Sequence, residues 1–182
     1  MPPSVHFNNL FVNNLLIYGR PVPTALVLDV DGVLCPASGF SPFGATIEVG
    51  VALRPVHVPL PLCAALADLA GSPDVTPVWL TSWLPRTRRA MRPPFPGPEW
   101  EQIEPEPGDG WPKWSALNAW LARHPEITRL AWVDDDLADR APRYTEELAD
   151  RGLDALLISP ATDHGMTPDH LAHLTHWLTQ DL

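Results

Sequence analysis

The stretch TALVLDVDGVL (residues 24–34) begins as an unbroken β-favouring apolar run and then meets two aspartates, Asp29 and Asp31. A strand with one wet face alternates apolar with polar, whereas a run that is apolar at every position suits a strand covered on both faces of a parallel sheet. Three more runs share this design: TPVWLTS (76–82), RLAWVDD (129–135) and DALLIS (154–159). Helical patterns lie between and after them. LCAALADLAG (62–71) places Leu62, Leu66 and Leu69 on one face and stops at Gly71, and Trp114, Leu117 and Leu121 form a stripe behind Pro112. TEELADRG ends at Gly152, and a last helix opens at Thr167 with Pro168 behind it, a good cap before a good first residue. Strands alternating with helices predict an α/β fold with a mainly parallel sheet. ATIEVGVALRPVHV (45–58) reads as a hairpin with Gly50 inside. PRTRRAMR reads as a short basic turn or helix, and an irregular acidic, proline-rich stretch follows it to residue 110.

The 182 residues suit one domain, read here as 24–182 behind an N-terminal extension, 1–23. At 45 % hydrophobic and 19 % charged, the composition is that of a soluble globular protein. The 23 prolines gather at 21–23, 55–61, 85–98 and 105–112, between periodic segments, and read as rigid loops. A net charge of −10 argues against broad adhesion to nucleic acid or to an anionic membrane. Cys35 and Cys63 make no disulfide framework and read as small core residues. The N-terminus lacks a basic start and a clean apolar run, and no segment approaches the ~20 apolar residues of a span, so a cytoplasmic protein with no membrane partner is expected.

One basic residue stands apart. Lys113 is the single lysine among 12 basic side chains, the rest being arginine. Pro112 would open a helix, so Lys113 falls in its first turn, where the helix dipole disfavours a cation. An exposed side chain is the ordinary outcome there. A residue that breaks a local rule without visible compensation is nevertheless a candidate functional residue.

In open α/β sheets, ligands collect at the carboxyl ends of the strands. The first run delivers Asp29 and Asp31 there, the second Thr81 and Ser82, the third Asp134, Asp135 and Asp136, while Lys113 opens the helix leading into the third. Carboxylates converging from two strands repel each other unless a cation joins them, and hard oxygen ligands suit Mg²⁺. A hydroxyl and an ammonium beside them suit a tetrahedral oxyanion, which together describes phosphoryl chemistry. A calcium loop starting at Asp29 fails, because its fifth and twelfth positions would be Val33 and Phe40.

LVLDVDGVL resembles the first motif of the haloacid dehalogenase (HAD) superfamily, VWLTSW the second, Lys113 the basic third and AWVDDD the acidic fourth, at separations of 52, 32 and 21 residues. Over residues 24–182, VWLTSW, WPKWSALNAWL, AWVDDDL and ISPATDHGMTPDHLAHLTHWL are similar to the HAD domain associated with Swiss Army Knife RNA repair proteins, while LPRTRRAMRPPFPGP (84–98) departs from that pattern. The resemblance implies a three-layer Rossmann-like fold, a hairpin flap after the first strand and no large cap domain. It also implies a Mg²⁺-dependent phosphatase working through an aspartyl-phosphate. Asp29 would be the nucleophile and Asp31 the acid and base, with Thr81, preferred to Ser82, and Lys113 on the phosphoryl oxygens. The metal set it implies is Asp29, the Asp31 backbone carbonyl and Asp135, with Asp134 as companion. One aspartate of the DDD run would cap a helix. A non-catalytic binding module retaining the fold is the rival reading.

Around this site the readings are plainer. Arg86, Arg88, Arg89 and Arg92 form either a solvated face or a clamp on a polyanionic substrate such as a nucleic-acid end, with Trp83 stacking a base. His170, His173 and His176 fall about 60° apart on a helix, so they fan out rather than converge on a metal. The tryptophans read as core and loop packing.

Overall fold

The computed structural model describes residues 22–51, 55–84, 87, 89–91, 95, 100–105 and 110–180. All of the N-terminal extension but its last two residues, and Arg86, Arg88 and Arg92 of the arginine cluster, lie outside the described residues. The described elements run β1 (Thr24–Leu28), β2 (Thr46–Gly50), β3 (Pro55–Pro59), α1 (Leu60–Ala70), β4 (Val75–Leu80), β5 (Glu101–Ile103), α2 (Pro112–Arg123), β6 (Arg129–Val133), α3 (Ala141–Asp150), β7 (Asp154–Ile158) and α4 (Pro168–Thr179). Strands in the order β5-β4-β1-β6-β7 form one parallel sheet.

β1 is buried at all five positions, as an uninterrupted apolar run in a central parallel strand must be. Its alternate side chains feed two cores. Leu26 and Leu28 pack with Leu62, Cys63 and Leu66 of α1 and Leu174 of α4. Ala25 and Val27 face the other way, toward Leu117 and Trp120 of α2 and Tyr144 and Leu148 of α3. Helices on both faces of a parallel sheet give the three-layer α/β architecture expected from the sequence. Both cysteines are buried, and burial pushes the Cys63 thiol up to about 12, so Cys63 is inert packing.

The predicted hairpin is the antiparallel pair β2–β3, with Val49, Val56 and Val58 buried in the α1-side core. Among the described residues, no second globular unit covers the sheet edge and no helix is long and apolar enough to cross a membrane. Thr167 caps α4, as read from the sequence, within a reciprocal capping box closed by His170.

The stretch up to residue 110, expected to be irregular, contains a fifth strand. β5 pairs in parallel with β4 from Val78↔Glu101 to Leu80↔Ile103. Three residues are too few to show a period. What holds them reaches outside the stretch: Phe95 and Trp100, just before the strand, pack with Trp79 of β4 at ring-centroid separations of 4.4–5.2 Å, and Trp120 Nε1 of α2 donates to Glu101 Oε1 at 2.8 Å.

Candidate active site

After β4 and β5 are laid on one side of β1, the chain returns to lay β6 and β7 on the other. The β1/β6 seam is therefore the topological switch point, where α/β sheets open a crevice. The register Leu28↔Val133 makes the next residues, Asp29 and Asp134, level across that seam. On the other side, Leu28↔Trp79 brings Thr81 to the same edge.

Lys113 rises into this seam from the first turn of α2 and is not the exposed residue its position suggests. It is only 7 % exposed, and its Nζ donates to Asp29 Oδ2 at 2.6 Å and Asp134 Oδ2 at 2.8 Å. Asp136 Oδ2, on a more open side chain, stands 3.5 Å away. Three carboxylates outweigh the dipole penalty of roughly 0.3–1 kcal/mol at a helix N-terminus. Burial disfavours the ammonium, but the Asp29 and Asp134 charges overcome it and hold the pKa of Lys113 above its usual value.

The carboxylates are less comfortable. Burial raises Asp29 despite Lys113, the Val30 amide at 2.7 Å and the Thr81 hydroxyl, all of which favour its charged form. Burial, then repulsion from Asp29, pushes Asp134 up to about 7, with Lys113 and the Asp136 amide opposing. Burial is the first cause of both shifts, and for Asp134 the neighbouring carboxylate adds to it. Carboxylate oxygens of Asp29, Asp134 and Asp135 lie within 4.8 Å of one another, and this all-oxygen set fits a hard divalent cation. The Asp31 side chain is outside that triplet.

Asp134 also caps the 3₁₀ turn Asp135–Leu137, its Oδ1 accepting from the Asp136 amide at 3.0 Å. Asp135 is steered by the loop after β7: Thr162 Oγ1 donates to its Oδ2 at 2.6 Å and Ser159 Oγ to its carbonyl at 3.0 Å. Neither Thr162 nor Ser159 was singled out from the sequence, though both follow the carboxyl end of a parallel strand. Gly32, at φ +66°, makes room for Asp135, since a Cβ there would stand 2.1 Å from Asp135 Oδ2. Gly32→Ala is expected to cost about 1–3 kcal/mol from the left-handed backbone and the displaced carboxylate. Urea unfolding measures this, and an unchanged midpoint would mean that Asp135 has other room.

Thr81 is buried and its Oγ1 accepts from the Trp83 amide at 3.3 Å, while Ser82 is exposed. Trp83 is buried at 9 % exposure in the core and donates Nε1–H to Asp31 Oδ2 at 2.6 Å, which favours the packing reading of the tryptophans over a base-stacking platform at this position. Arg89 is exposed in the 3₁₀ turn Arg89–Met91. His170 serves the α4 cap, its Nδ1 accepting from the Thr167 amide at 3.2 Å.

A parallel sheet between helix layers, with acids at adjoining strand ends and a lysine between them, is the arrangement of the HAD superfamily. The family model for the HAD domain in Swiss Army Knife RNA repair proteins matches residues 25–171, and the chain belongs to that family. No curated protein matches it, and no solved structure does. Membership implies a hydrolase of the HAD type with phosphatase-like function.

Proposed function

We propose that the protein is a Mg²⁺-dependent phosphomonoester hydrolase acting through an aspartyl-phosphate. The observation that carries this reading is Lys113 bound between Asp29 and Asp134 at the switch point, beside three converging carboxylate oxygens. Asp29 attacks phosphorus as Asp31 protonates the departing oxygen; Asp31 then takes a proton from the water that releases phosphate. Lys113 and Thr81 donate to the phosphoryl oxygens as charge builds. Carboxylates of Asp29, Asp134 and Asp135, with the Asp31 carbonyl, would hold Mg²⁺, which supplies neutralisation of phosphoryl charge.

Two features support large substrates such as phosphorylated nucleic-acid ends. No cap unit covers the site among the described residues, and the family is that of RNA repair proteins. Arg89 is exposed and available to a polyanion, with Arg86 and Arg88 its expected companions.

The test is phosphate release from small phosphomonoesters and from 3′- and 5′-phosphorylated RNA and DNA. Turnover is expected with Mg²⁺, should fall to background with a chelator, and should return when Mg²⁺ is restored. A chain that binds Mg²⁺ but hydrolyses none of these would be a binding module retaining the fold.

A further inference from the structure

Thr81 and Trp83 are two residues apart, yet they reach two different parts of the site. The hydroxyl of Thr81 is among the groups that favour the charged form of Asp29. Trp83, buried in the α1-side core, sends its indole N–H to Asp31 Oδ2 at 2.6 Å, and its own amide donates to Thr81 Oγ1 at 3.3 Å. The indole nitrogen is a donor only, and in a protonated carboxyl the carbonyl oxygen accepts a hydrogen bond better than the hydroxyl oxygen does. This bond therefore favours Oδ2 as the carbonyl oxygen and Oδ1 as the oxygen that carries the proton. Among the described residues, no other side-chain donor reaches Asp31.

We infer that Trp83 is the positioning residue of the acid–base step: it turns the Asp31 carboxyl so that Oδ1 is the atom that gives and takes the proton. The inference rests on the acid role proposed for Asp31. In the first step the bond from phosphorus to the leaving oxygen breaks, a bond from Asp29 to phosphorus forms, and the proton on Asp31 Oδ1 passes to the leaving oxygen. In the second step water forms a bond to phosphorus and loses a proton to Oδ1, while the bond from Asp29 to phosphorus breaks. Oδ2 stays with the indole throughout. Because the rigid Trp83 ring is packed in the core, the carboxyl is held in place before substrate arrives, which is what proton transfer at fixed geometry requires.

The experiment compares 4-nitrophenyl phosphate, whose leaving group departs without help, with 4-nitrobenzyl phosphate, whose alkoxide needs a proton. The readout is kcat/KM, which ends at phosphorylation of Asp29. Trp83→Phe keeps an aromatic ring and removes the donor. It is expected to lower kcat/KM for the benzyl ester by roughly tenfold to a hundredfold, the scale of a hydrogen bond to a charged group. The nitrophenyl ester should lose less than about threefold, since it does not need the proton. On an Asp31→Asn background the same change should do almost nothing, because the group it positions is gone.

A 3-benzothienylalanine at position 83 retains the bicyclic shape and replaces N–H by sulfur, so it should reproduce the selective loss without disturbing the core. If Asp31→Asn is selective for the benzyl ester while both position-83 variants lose the two esters equally, Trp83 is packing alone and the inference is overturned. If Asp31→Asn itself is unselective, the acid role falls and the inference falls with it.

Discussion

Asp29→Asn is expected to reduce turnover of every phosphomonoester to background, because no nucleophile remains to accept the phosphoryl group. The fold should survive. The introduced amide retains one acceptor oxygen for the Val30 amide or for Lys113, though not both, and that loss is offset by removing a charge that burial already disfavours. The melting temperature should therefore move little, and a folded, inactive variant is the expected result. Asp31→Asn separates the two aspartates. It should lower kcat/KM for alkyl phosphates by roughly 10²–10⁴-fold, the usual worth of a general acid, and hurt an aryl phosphate with a good leaving group far less. Equal losses on both esters would remove Asp31 from the acid role. Residual turnover by Asp29→Asn on every ester would remove the covalent mechanism.

The parts of this protein that were legible in its sequence are those set by local pattern. β1 is buried at every position and apolar after Thr24 because both its faces are covered, and the next residue, Asp29, is then a strand-end residue by construction. The same reasoning reaches Asp134, and the register between Leu28 and Val133 places the two side by side. β5 was invisible because nothing local makes it a strand. Its three residues are ordered by Trp79, on which the neighbouring Phe95 and Trp100 pack, and by Trp120, both from other parts of the chain. The hydrogen bond of Trp83 was out of reach for a related reason: its partner lies 52 residues earlier, and a tryptophan following a hydroxyl run carries no sign of which polar group it will meet. The identity of Lys113 as a functional candidate came from its being the only lysine, but its burial depends on carboxylates 84 and 21 residues away.

That burial changes what Lys113→Met should do. The activity loss remains roughly 10²–10³-fold in kcat/KM, the scale of one missing donor to a charged oxygen in the transition state. Stability is where an exposed and a buried lysine differ. An exposed one in the first helical turn would be removed at no cost, since it opposes the dipole. Here its removal leaves Asp29 and Asp134 buried beside each other, and breaking a buried pair from one side costs about 3–5 kcal/mol. The loss should fall toward the lower end, because Asp134, already pushed up to about 7, can take a proton instead of standing as an unpaired anion. At roughly 2–4 °C per kcal/mol for a domain of this size, the metal-free melting temperature should drop by about 5–15 °C. Mg²⁺ should recover more of this deficit in the variant than it adds to the wild type, since it replaces the missing charge at the same carboxylates. Lys113→Arg should restore part of the stability but little activity, because the planar fork is larger and cannot put its charge on the same point. A Met variant with unaltered melting and near-normal turnover would mean that the carboxylates do not need this lysine, and the active-site assignment would go with it.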